Sequence, residues 1–307
     1  MRKLLIALSQ NSAARDVAVK LGPVRRTVDR FVAGETLDDA IAATKRLADA
    51  GLKVTIDHLG EYTTTQAEAL ATTDAYLALL ERLGAEGLAP VAEVSVKASA
   101  IGLTLPRGAE LAEENAGRIC AAAAQIGTTV TVDMEDHTAT DATLNLLEAL
   151  RAEFPTTGGV LQAMLKRTPD DCRRFNGPGS RIRLCKGAYD EPATVAHRTR
   201  PEISESYLAC LRILFKGEGY PMVASHDPAM ISAALGYADL VGRAPGSFEF
   251  QMLYGIRPEE QKRLAAAGHT VRIYLPYGVD WYAYFMRRLG EKPANLALLG
   301  RALVSRN

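Results

Sequence analysis

Charged and polar side chains recur at the carboxyl ends of eight short β-branched runs. They are Asp57 and Glu61, Lys97, Asp133 and Glu135, Gln162, Arg183 and Lys186, Ser225 and His226, Gln251, and Arg272 and Tyr274. A charge inside a strand needs a partner or a ligand, because burying it alone is costly. One such residue is a matter of structure, but charges at most of the strand ends point to a binding site. Lys97 has three readings: a Schiff-base lysine, a carboxylate binder, or a salt-bridge partner of Asp133. His226 stands between Ser225 and Asp227 with no second His at ligand spacing, so no metal is expected. The chain has no GxSxG elbow, and it has neither GxGxxG nor GxxxxGK. A nucleotide would have to be held by strand-end amides and basic side chains.

A second group lies in GVDWYAYFMRRLGEKPAN, where Asp280 is placed to cap a helix. Tyr284, Arg287, Arg288 and Glu291 fall at i, i+3, i+4 and i+7 and share one helical face. Two arginines beside aromatics can clamp a small carboxylate through charge-assisted bonds. The plainer alternative is a solvated basic pair with Glu291 as its i,i+4 partner. Position favours the clamp, since this helix follows directly on the eighth run.

The elements that must position these groups can be read from periodicity. The runs begin at Val54, Pro90, Thr128, Val160, Arg181, Tyr220, Phe248 and His269, about 20–40 residues apart, enough for a crossover helix each time. Helical patterns cover 65–83, 111–124, 138–152, 202–216, 228–237 and 258–267. Pro258 suits a first helical turn, and Asp136 or Thr138 suits a cap after the third strand. This pattern predicts an α/β fold, a (βα)8 TIM-type barrel, with its site at the carboxyl ends of the strands. Before the first strand, TLDDAIAATKRLADAG reads as a helix with Thr36 as cap and Gly51 past its end. The expected organisation is an N-terminal helical arm over 1–50, packed on the outside, and a catalytic barrel over 51–307 ending in the substrate-clamping helix.

Composition sets the outer bounds. The 307 residues carry 36 Lys+Arg and 36 Asp+Glu, so no nucleic-acid partner and no polybasic membrane patch is expected. No apolar run approaches the roughly 18 residues of a membrane span. The apolar run from Leu4 to Leu8 is shorter than the roughly 7–15 residues of a signal-peptide core. Cys120, Cys172, Cys185 and Cys210 are scattered without CxxC spacing, as expected of reduced thiols in a cytoplasmic protein.

The chain resembles the proline dehydrogenases, flavin-dependent (βα)8 enzymes of proline catabolism. The likeness runs from DHLGE at Asp57 to the RRLGE helix. VKAS, VDMED, LQAMLKR, RLCKGAY, ASH, FEFQMLYG and YLPYG occur in the family's order. The length matches the monofunctional form. Two departures are visible: Ser225 stands where the family often has Thr, and Asp227 adds a charge where Asn is frequent.

The resemblance implies roles for these residues. Lys97, Arg287 and Arg288 would bind the proline carboxylate, and Tyr189, Leu253, Tyr274 and Tyr284 would line the ring pocket. Arg183 would lie near flavin N5, with Asp133 ordering the basic groups. Met134, Gln162, Lys186, Gly187, Ala188, Ser225 and His226 would hold the FAD. Glu61 would pair with Arg287 as a gate, supported by Glu291. L-proline would be oxidised by hydride transfer to 1-pyrroline-5-carboxylate. Electrons would pass to a membrane quinone or another acceptor, with at most peripheral contact at the inner face of the cytoplasmic membrane. Two other readings compete: a Schiff-base aldolase using Lys97 or Lys186, and a non-catalytic barrel that binds an amino acid. The aldolase leaves the double-arginine helix and RLCKGAY unexplained, whereas the cation and tyrosine set is compatible with the binding barrel.

Overall fold

The computed structural model describes residues 28–282 and 284–286. Eight parallel strands close into a barrel in sequence order. They are β1 (Lys53–His58), β2 (Ala92–Lys97), β3 (Val130–Asp133), β4 (Gly158–Gln162), β5 (Arg181–Cys185), β6 (Tyr220–Ala224), β7 (Glu249–Leu253) and β8 (Thr270–Tyr277). The helices are α1 (Leu37–Asp49), α2 (Gln66–Ala85), α3 (Gly108–Gln125), α4 (Thr140–Glu153), α5 (Thr168–Arg174), α6 (Arg200–Lys216), α7 (Pro228–Val241) and α8 (Pro258–Ala266). All eight predicted strands are present. Helix α5 is an addition to the sequence reading, because its seven residues complete too few turns to show a 3.6-residue period.

Local chemistry fixes where helices begin. Thr36, Thr65 and Thr199 each form a capping box with an acidic residue three positions on. Asp136 accepts from Thr138 N and caps the short 3-10 turn His137–Ala139, which leads straight into α4. Pro258 stands at the first position of α8.

Strand residues alternate between two environments. Val54, Ile56, Val94, Val96, Ile182 and Leu184 join the main apolar core with helix residues such as Leu79, Leu80 and Leu211. The alternate residues, Thr55, Glu93, Ser95, Thr131, Asp133, Arg183, Glu249, Gln251 and Arg272, bond to one another within the lumen. The interior is therefore largely polar and self-paired. Arg272 belongs to this lining: it is the third residue of an eight-residue strand, not a strand end.

The described residues of the predicted arm, 28–50, fall into two parts. Helix α1 packs on β1 and β8, on the outside, where a helix following β8 would otherwise lie. Residues 28–34 reach the barrel mouth instead. Ala33 N–H donates to the Pro276 carbonyl, and Gly278 N–H to that of Gly34. Val28, Phe31 and Val32 pack with Leu59, Trp281, Tyr284 and Phe285. Gly255, at φ +71, abuts the Arg30 carbonyl so closely that any Cβ would overlap it.

Candidate active site

Four predicted site residues meet inside the carboxyl end of the barrel: Lys97, Asp133, Arg183 and Tyr274. Arg183 lies 5% exposed in the middle of β5. Its Nη1 donates to Asp133 Oδ1 at 2.5 Å and to Ser95 Oγ at 3.2 Å, and its Nε donates to Gln251 Oε1. The other oxygen of Asp133 accepts from the Tyr274 hydroxyl at 2.7 Å. The guanidinium sits 5.2 Å from the centroid of the Tyr274 ring. Burial and the neighbouring Asp133 carboxylate push the Tyr274 phenol far above its ordinary range, so it stays a hydroxyl donor. Among the described residues, Arg183 Nη2 is buried without any hydrogen-bond partner.

Lys97 ends β2 beside Asp133 in the strand register, but its amine turns to Asp57. Both Asp57 oxygens accept from Nζ at 2.7 Å. This corrects the salt-bridge reading: Asp57 is the partner, not Asp133. Burial would depress the lysine, but Asp57, Asp133 and Glu61 outweigh it and raise its pKa. Burial raises Asp57 in turn, and the attraction of Lys97 does not fully offset it. A Schiff-base nucleophile needs a depressed amine, so Lys97 is poorly suited to the aldolase reading.

The residues expected to hold a cofactor lie on the neighbouring strand ends. Gln162 Nε2 donates to the Glu135 carbonyl at 2.6 Å. Met134 and Ser225 are buried, and Ser225 Oγ accepts from Asp227 N–H. Leu253 N–H donates to His226 Nε2 at 2.9 Å, which fixes the imidazole proton on Nδ1. Lys186 Nζ bonds to Asp227 Oδ2 at 2.7 Å and to Ser204 Oγ at 2.9 Å. The added charge of Asp227 is thus paired, and its other oxygen caps α7. Gly187, at φ +103, turns the chain after β5 against Met164, leaving no room for a Cβ unless Met164 moves. Ala188 is half-buried beside it, and Tyr189 packs on Met164, Leu165 and Ala196.

Glu61 rides on the loop between β1 and α2, which Ser99 ties down. Ser99 Oγ accepts from Tyr62 N–H and donates to Glu135, while its carbonyl accepts from Thr63. Tyr284 is buried in the cluster with Val28, Phe31 and Leu59, and Tyr274 packs against that cluster. Since Leu59 follows β1, the segment after β8 does lie at the mouth. Arg287, Arg288 and Glu291 lie outside the described residues. Sequence reasoning missed the roles of Asp57 and Ser99. Asp57 was visible as a charge at a strand end, whereas Ser99 gave no signal.

Residues 40–301 match the proline dehydrogenase family model. The chain belongs to the proline dehydrogenase family. It is 37% identical over 309 residues to proline dehydrogenase 1 of Bacillus subtilis, covering the whole of both chains. It is 40% identical over 279 residues to the proline dehydrogenase of Deinococcus radiodurans, covering 90% of this chain and 89% of the relative. Among solved structures, it superposes with a TM-score of 0.83 on proline utilization A of Bdellovibrio bacteriovorus inactivated by N-propargylglycine. That likeness, at 24% identity, covers 92% of this chain and 34% of the solved one, and it speaks for the fold. Among the described residues, no helix is long and apolar enough to cross a membrane.

Proposed function

We propose that the chain oxidises L-proline to 1-pyrroline-5-carboxylate with a bound FAD, taking the hydride from C5. Membership of the family makes it an oxidoreductase acting on a CH–NH group in the first step of proline catabolism. A bound FAD would supply the hydride acceptor, and the electrons would go on to a further acceptor, a membrane quinone in this reading. The observation that carries the proposal is the pair of buried cations at the mouth, one with an unused donor edge.

The residues present fit a flavin. An orphaned guanidinium edge, buried among strand ends, suits an electron-rich ring that gains charge on reduction. Around it, Met134, Gln162, Lys186, Gly187, Ala188, Ser225 and His226 offer apolar surface, amide groups and a cation for the ring and the diphosphate. Lys97, with Arg287 and Arg288, would bind the substrate carboxylate. Tyr189, Leu253, Tyr274 and Tyr284 would enclose the ring carbons and exclude water. Asp133 holds Arg183 in place while Tyr274 satisfies its second oxygen. Glu61, supported by Glu291, would close over the bound substrate through Arg287.

The purified protein is expected to be yellow, with flavin bands that bleach anaerobically on addition of L-proline. A colourless protein that takes up no FAD overturns the proposal. Borohydride trapping of an imine on Lys97 or Lys186 would establish the aldolase instead.

A further inference from the structure

We infer that Gln251 is a positioning residue for Arg183, locking its guanidinium so that the Nη2 edge alone remains turned to the ligand. This rests on the reading that Arg183 faces the cofactor. Gln251 lies 4% exposed in the middle of β7. Its carboxamide can sit only one way round. Nε2 donates to Glu249 Oε1 at 2.6 Å and lies 3.1 Å from Met222 Sδ. Turned over, the amide oxygen would face a carboxylate, acceptor against acceptor. Oε1 must therefore face Arg183, where it accepts the Nε–H.

The reference point is itself rigid. Glu249 is held by Arg272 through Nε at 2.8 Å and Nη2 at 3.1 Å, the forked pairing that fixes both groups. On the far side of Arg183, Asp133 and Ser95 hold Nη1. A planar guanidinium pinned at two of its nitrogens has the direction of its third decided. That third nitrogen is the buried donor without a partner among the described residues.

The chemistry of the pin matters as well as its place. Asp133 already balances the charge of Arg183. A second carboxylate at 251 would leave the site net negative, whereas an amide fixes orientation without cancelling the cation.

The test is a double-mutant cycle on the holoenzyme, read as the midpoint potential of the bound flavin. Gln251→Met keeps the side-chain length and removes both polar ends. FAD is expected to stay bound, with its reduced form stabilised about tenfold less, a fall of about 30 mV for a two-electron couple. The rate of flavin reduction at saturating proline should fall on the order of tenfold, with KM moved less than about threefold. In an Arg183→Met background, Gln251→Met should add no further shift. An unchanged potential in Gln251→Met, or a shift that persists in full without Arg183, overturns the inference and leaves the placement of Arg183 standing. An Arg183→Met variant with the parent's potential overturns that placement and the inference with it. Where Gln251→Met does not fold, Gln251→Asn carries the same test. It keeps the amide but withdraws it by one methylene, and should shift the potential the same way.

Discussion

Near the amino ends of the strands, Glu93 and Glu249 face Arg181 and Arg272; near the carboxyl ends, Asp57 and Asp133 face Lys97 and Arg183. Each cluster holds two carboxylates and two cations, so formal charge does not separate them. Satisfaction does. Glu93 accepts from Thr55, Thr131 and Arg181, and Glu249 from Arg272, Gln251 and Tyr220. In the upper cluster an arginine edge is left over. The carboxyl groups respond accordingly. Burial pushes Glu93 up, but Arg181, Arg272 and Arg183 overcome it and hold it at about 2. In Asp57 burial prevails. The lower cluster is a closed ionic plug for the barrel; the upper one leaves a buried arginine donor unmatched among the described residues.

The largest expected effect tests the plug. Glu93→Ala leaves Arg181 and Arg272 short of a buried partner and should cost roughly 3–5 kcal/mol of stability. Urea unfolding measures it. A loss below about 1 kcal/mol would mean that the cluster is no more than spectator charge.

Acid titration separates the clusters by sign. The folded pKa of Glu93 lies below its ordinary 4.5, so its contribution is present above that value and is lost as pH falls toward about 2. That loss amounts to on the order of 3 kcal/mol. Asp57, raised above 3.8, acts oppositely: its contribution is lost as pH rises from that value through its folded pKa. Stability against pH should therefore show a flatter acid limb in Glu93→Gln and a steeper one in Asp57→Asn. Parallel limbs in both variants would erase the distinction.

A smaller effect is expected at the mouth. Lys97→Met should raise the KM for proline by roughly tenfold while FAD remains bound, as for a single charge-assisted contact. Steady-state kinetics with FAD content checked by absorbance would decide. Loss of FAD instead would move Lys97 to the cofactor side of the site.

Much of this was legible in the sequence, for a physical reason. A β-branched run marks a barrel strand whatever its partners, so all eight strands could be read. Lys97, Asp133 and Arg183 stood out because a charge in such a run is anomalous. Pairing was not legible. Arg181 meets Glu93 across 88 positions, from β5 to β2, and Lys97 meets Asp57 across 40, one βα unit apart; neither separation follows a local period. For the same reason Arg272 read as a site residue when it belongs to the plug. Gln251 stood out as a polar strand residue, but its role emerges only from the groups on either side of it, Glu249 and Arg183.

On the proposed reading, the upper cluster performs chemistry with the donor that the lower cluster lacks. The most direct measurement is the anaerobic rate constant for flavin reduction by saturating L-proline in Arg183→Met. A fall of about 100-fold or more is expected, in the range for loss of one preorganised donor, with proline affinity changed far less. A rate within about threefold of the parent, or an equal loss of rate and affinity, would contradict it.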